Sequence, residues 1–161
     1  MGGTMISLVP PARPPDDVVT GLRRSSWTLP ADPASTCRAR RLVRAALTEW
    51  SCGQDPEVTE VAELLVSELV ANVLRHGRGE PVLTLLLRDD TGDDTTHRTT
   101  GRVLRCEVED EVRVPVRARG MSRDDEEGGR GLLIVDSLSR SWGVRPTRRG
   151  KAVWFELSAN R

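Results

Sequence analysis

The chain has 161 residues, 37% of them hydrophobic, and its 24 basic and 24 acidic residues cancel to a formal net charge of zero. That is enough chain for one domain with a proper core and too little for two comfortable ones. One Phe, no Tyr and four scattered Trp on a neutral chain exclude a basic surface interleaved with aromatics, so nucleic acid is not an expected partner.

Nearly all the positive charge is arginine, and Lys151 is the only lysine, which rules out a Walker-type phosphate lysine. Cys37, Cys52 and Cys106 are odd in number and form no C-x-x-C; idle thiols in a reducing cytosol fit better than a disulfide framework or a zinc site. No apolar run approaches the roughly 20 residues that span a bilayer. Pro10, Pro11, Pro14, Pro15, Asp16 and Asp17 stand where a signal peptide would continue its apolar core, so a cytoplasmic location is expected.

Residues 1–24 are Pro-rich and aperiodic, which predicts a disordered arm ahead of a single domain over 25–161. Ser26 to Leu29 alternates like a short edge strand and stops at Pro30. Asp32-Pro33 then supplies an N-cap and a proline at the first helical position, opening a helix through Leu42, Val43, Ala46 and Leu47 to about Trp50. Asp55-Pro56 repeats the signal for a second helix that stops near Gly77 and Gly79.

This second helix carries the strongest anomaly in the sequence. At about 100° per residue, Val58, Val61, Leu65 and Leu69 form one apolar stripe, and Glu68, Asn72 and His76, spaced i, i+4 and i+8, fall inside it. Burying such groups unpaired costs several kcal/mol. Either other protein groups satisfy them, as a buried polar network between helices, or they line a pocket for a polar ligand. His76, at the helix end, is also simply favoured there by the macrodipole.

Val82 to Leu87 is an apolar run of strand length, followed by a polar loop that holds His97. Leu104, Cys106, Val108 and Asp110 then alternate with Val103, Arg105, Glu107 and Glu109, a strand whose inward face ends on an aspartate. The segment from Glu111 to Glu127 is charged and irregular, with Asp124 to Glu127 expected as a solvated run. Gly128 to Gly131 leads into a short helix through Leu132, Leu133, Val135 and Leu138, and a glycine-rich helix start is a ready site for phosphates. Trp142 to Arg145 and Ala152 to Leu157 close the chain as a hairpin whose tip, with Arg148 and Arg149, is expected in solvent. The four tryptophans, Trp27, Trp50, Trp142 and Trp154, suit core and interface filling better than stacking. Strands in runs with helices gathered between them predict an α+β two-layer sandwich, a mixed, mostly antiparallel sheet with helices on one face.

Taken together, these residues resemble the Bergerat-fold (GHKL) ATP-binding domain found in histidine kinases and type II topoisomerases. Within it they look most like the anti-sigma-factor serine/threonine kinases and their actinobacterial relatives. Glu-Leu-Val-Ala-Asn-Val-Leu-Arg-His-Gly (68 to 77) matches the family's N-box. Glu107 to Asp110 sits where its first glycine box begins, Gly129-Arg130-Gly131-Leu132 fits the second, and Gly150 to Phe155 sits at the last. The resemblance spans roughly residues 25 to 157.

It implies ATP and Mg²⁺ as cofactors. Asn72 corresponds to the magnesium-coordinating asparagine, Glu68 to the general base, and Asp110 to the carboxylate that accepts from the adenine amino group, an acceptor-only side chain that rejects the guanine carbonyl. The backbone around Gly129, Arg130, Gly131 and Leu132 would hold phosphates, with His76, Arg75 and Arg130 near them. The implied partners are a sigma factor and an antagonist protein, with a homodimer as a further expectation. The sequence also departs from the family. Asp110 is followed by Glu111, Val112, Arg113 and Val114 where D-x-G-x-G is usual, and Lys151 or Ala152 replaces the last-box threonine. A partner-binding module with a degenerate nucleotide site is therefore the alternative. A histidine-kinase fragment fits less well, because the only histidines are in the N-box and in a loop.

Overall fold

A computed structural model describes residues 22–50, 55–90, 101–113 and 129–159. The elements follow the expected order: β1 (Arg23–Thr28), α1 (Ala34–Glu49), α2 (Pro56–His76), β2 (Val82–Asp90), β3 (Gly101–Asp110), α3 (Gly129–Leu138), β4 (Ser141–Pro146) and β5 (Lys151–Ala159). Most of the predicted arm, the loop with His97, the acidic run Asp124 to Glu127 and Cys52 lie outside the described residues. Arg23 and Arg24, assigned to the arm from sequence, instead open β1, where they pair with Leu87 and Leu86.

Both helix starts follow from their Asp-Pro signals, with one shift. Asp55 caps α2, its carboxylate accepting from the Glu57 amide at 3.1 Å, and Pro56 is the first helical residue. In α1 the helix begins one residue late, at Ala34, with Pro33 as the cap. Asp32 still does the chemical work, since its carboxylate accepts from the Ala34 amide at 2.7 Å, and that satisfies an amide which a helix start would otherwise leave orphaned.

The five strands lie in the order β1-β2-β3-β5-β4, and each described pairing is antiparallel. The helices cover one face, giving the expected α+β sandwich. Period-2 alternation sends Leu104, Cys106 and Val108 of β3, with their partners Leu157, Phe155 and Val153 of β5, toward Leu65 and Leu69 of α2 in one core. Arg44 of α1 donates twice to Glu63 of α2, at 2.6 and 2.8 Å, stitching the two helices at their edge. Among the described residues no helix is long and apolar enough to cross a membrane.

The face turned from the helices is held by ions. Glu107 accepts from Arg105 at 2.8 Å and from Arg145, and Arg105 also reaches Glu156 at 3.1 Å. The Arg105 guanidinium lies 3.9 Å from the centre of the Trp154 ring, a cation–π stack. Trp154 therefore sits on this ionic face, whereas Trp50 is buried in the core and Trp27 and Trp142 pack at its margin. Burial pushes the Glu107 carboxyl up, but Arg145 and Arg105 together outweigh it and hold the group below its ordinary 4.5. Burial also pushes the Cys106 thiol far up, so this core cysteine is inert.

Because the folded value of Glu107 is depressed, its contribution is fully present above the ordinary 4.5 and is lost as pH falls through the lower folded value. Denaturant unfolding of the wild type and of Glu107→Gln checks this: the wild-type advantage is expected to shrink on going from neutral to about pH 3.

Candidate functional site

Three sides of α2 have three different jobs. Leu65, Leu69 and Val73 enter the core, and Glu63 faces α1. Glu68 and Asn72 are half-buried on the third side. Neither makes a hydrogen bond or ion pair with another described residue, so no buried polar network among these residues holds them. His76 is exposed in the last turn, which suits the macrodipole reading of that residue. Arg75, also exposed, turns back to donate to the Ala71 carbonyl at 3.3 Å.

The start of α3 lies against Glu68. A Cβ added to Gly131 would stand 2.8 Å from Glu68 Oε2, so the second glycine box meets the N-box with no side chain between them. Gly129 opens α3, Arg130 is exposed in its first turn, and Leu132 packs on the core margin. At its other end α3 meets the start of α2. There Val58, Val61, Leu138 and Ser139 line a cleft of about 350 Å³, so the two helices run antiparallel.

Asp110 ends the inward face of β3 and is 2% exposed. Its Oδ1 accepts from the Val112 amide at 2.8 Å. Its Oδ2 lies 3.7 Å from Lys151 Nζ and would stand 2.9 Å from a Cβ on Gly77. Gly150 presses on the backbone of Asp110 to Val112, where any side chain would collide. The Glu111 amide donates to the Arg78 carbonyl at 2.9 Å, and the Glu111 carboxylate accepts from Arg149 at 3.0 Å. Gly79, at φ +74°, is packed under that same carboxylate. The α2–β2 connection, the end of β3 and the β4–β5 turn are thus drawn together around Asp110.

Two centres result along α2. Glu68 with Gly131 forms one, and Asp110 with Gly77 forms the other, nine residues on, or roughly 14 Å at 1.5 Å per residue. Asn72 lies between them. An extended ligand lying along the helix would meet both centres. No cluster of three or more His, Cys, Asp or Glu side chains able to hold a metal occurs among the described residues. These residues therefore form no self-contained metal cage. The Asn72 amide oxygen and Glu68 carboxylate, hard and without a partner among the described residues, do suit a divalent cation that takes its remaining oxygens from a ligand and water.

The glycine clasp around Asp110 was not legible beforehand. Gly77 and Gly79 marked only a helix stop, and Arg148 and Arg149 a solvated tip. Arg148 is exposed, but Arg149 is half-buried and tied to Glu111 and to the Glu80 carbonyl. Register also decides the last box. Lys151 pairs with Asp110 and shares its inward face, while Ala152 pairs with Glu109 on the opposite one. Strand parity alone would have placed Lys151 there once the hairpin was aligned with β3.

The sequence profile of the histidine kinase-like ATPase domain family matches residues 29–157. Among curated proteins, none matches the chain significantly.

Gly79→Ala tests the clasp. The left-handed φ and the crowding by Glu111 are expected to cost about 1–2 kcal/mol, seen as a lower urea midpoint with an unchanged m-value.

Proposed function

The chain belongs to the histidine kinase-like ATPase domain family, and from that premise we propose that it is an ATP- and Mg²⁺-dependent regulatory kinase. In this reading it resembles the anti-sigma-factor serine/threonine kinases: it sequesters a sigma factor, phosphorylates a serine on an antagonist protein, and acts in the cytoplasm, with pairing into a homodimer as part of the same expectation. The observation that carries the reading is the half-buried Glu68 carboxylate, set against Gly131 at the start of α3 and without a described protein partner.

Each residue then has a stated task. Asp110 accepts from the adenine amino group. Backbone N–H groups of Gly129 to Leu132 face the phosphates, where a helix start favours negative charge. Arg130, exposed on that turn, adds charge, and His76 lies at the rim. Asn72 supplies an amide oxygen to Mg²⁺, which when bound neutralises charge on the phosphate oxygens. Glu68 takes the proton of the attacking serine hydroxyl as that oxygen bonds to the terminal phosphorus and the bond to the ADP oxygen breaks. A carboxylate suffices here because phosphoryl transfer asks the protein mainly for positioning and charge stabilisation.

A partner-binding module with a degenerate site is the second reading, and one observation favours it: Asp110 is already engaged by Val112 and Lys151. Calorimetry with ATP and ADP, with and without Mg²⁺, separates the two, since a module without a working site gives no binding heat.

Under the kinase reading, Glu68→Ala is expected to lower phosphotransfer to the antagonist by at least about 10²-fold while ATP still binds; undiminished transfer would remove Glu68 from its role. Asn72→Ala is expected to abolish the Mg²⁺-dependent part of ATP binding in the same titration.

Gly131→Ala adds a methyl group against the far end of the flexible Glu68 side chain. The fold should tolerate this, since alanine in a helix is favoured over glycine by about 1 kcal/mol. Unfolding midpoints near the wild type with phosphotransfer reduced would show that the placement of the carboxylate matters.

A further inference from the structure

The contact between Lys151 and Asp110 has no role in the function proposed above, and it stands where base recognition is to occur. Asp110 is 2% exposed, so no solvent-open side of its carboxylate is left for an incoming amine. Among the described residues, three groups lie against it. The Val112 amide occupies Oδ1 and Gly77 backs Oδ2, and both are backbone, held by neighbouring turns. Lys151 is the third, with its Nζ 3.7 Å from Oδ2 and its side chain 21% exposed. Of the three, Lys151 alone is a long flexible side chain whose charged head can swing into water while its stem stays packed.

We infer that Lys151 is an affinity-determining residue of the nucleotide site: its ammonium holds the Asp110 oxygen that the base amino group must take, and binding proceeds by exchanging the internal ion pair for the ligand's hydrogen bond. The inference rests on the reading of Asp110 as the base-recognising carboxylate. A neutral hydroxyl in that place would compete weakly for an anion. An ammonium competes strongly, because a charge-assisted contact to a desolvated carboxylate is worth more than a neutral one. Where the competent state is a minor fraction of the protein, apparent affinity falls by that fraction.

The uniqueness of Lys151 makes the test direct, since carbon-13-labelled lysine gives the full-length protein one reporter. Lys151→Met, close in shape and uncharged, is expected to bind Mg·ATP about tenfold more tightly than the wild type by calorimetry, and Lys151→Arg, which keeps the charge, to stay near the wild-type value. Saturating ATP is expected to move the lysine signal of the wild type toward its position in ligand-free Asp110→Asn, where the ion pair is broken. That measurement decides the matter even if Lys151→Met fails to fold. An affinity unchanged or weakened in Lys151→Met, or a lysine signal unmoved in wild type shown to be saturated, would overturn the inference and leave the nucleotide site standing. Absence of ATP binding in both wild type and Lys151→Met would overturn the ATP reading, and this inference with it.

Discussion

Asp110 is a carboxylate taken almost wholly out of water, and three connections of the fold converge to make that tolerable. An ionised group at such a depth is costly unless it is paired and hydrogen-bonded. Val112 donates an amide from the turn that follows it, Lys151 brings a positive charge from β5, and Gly77 lets the end of α2 approach without a side chain in the way. Because each contribution comes from a different part of the chain, the buried anion fixes how the helix layer, the central strand and the terminal hairpin meet. The Asp110 end of the candidate site is built on that junction.

The same junction is closed further by the residue that follows Asp110. Glu111 stands where a flexible loop would begin, and its carboxylate lies over Gly79 and takes Arg149. Without the Glu111 carboxylate, Arg149 would lose that partner and the three connections would be less firmly joined. Glu111 thus adds an ionic clasp to the turn after Asp110. Such a clasp is partly exposed and therefore modest in energy, but its geometric effect is to hold Asp110 and its amide neighbour in fixed relation.

Helix α2 joins the two centres of the site. Its apolar side anchors it in the core, and its pairing with Arg44 through Glu63 sets its rotation against α1. That rotation leaves Glu68 and Asn72 at the boundary between core and solvent, where a polar side chain is neither wholly hydrated nor satisfied by protein. Groups so placed are poised for a ligand, because part of their desolvation has already been suffered when the ligand arrives. The sheet on which α2 rests is stiffened on its far face by the Arg105, Glu107, Arg145 and Glu156 lattice under Trp154. That face gives the site a rigid floor without a second apolar layer.

Local chemistry determined much of this in advance. The Asp-Pro pairs fixed where α1 and α2 begin, to within one residue, because capping depends only on near neighbours. The 3.6-residue period put Glu68 and Asn72 on one side of α2, and the period-2 pattern of β3 turned Asp110 inward. The spacing from Glu68 to Gly77 carried the family resemblance. Tertiary structure alone decided that β5 lies beside β3 with Lys151 opposite Asp110, that Glu111 meets Gly79 and Arg149, and that His76 faces solvent. Those outcomes depend on register between segments tens of residues apart, and a register shift of one residue would have presented Ala152 to Asp110 instead. Periodicity within a segment cannot set that choice; only the packing of distant side chains against one another does.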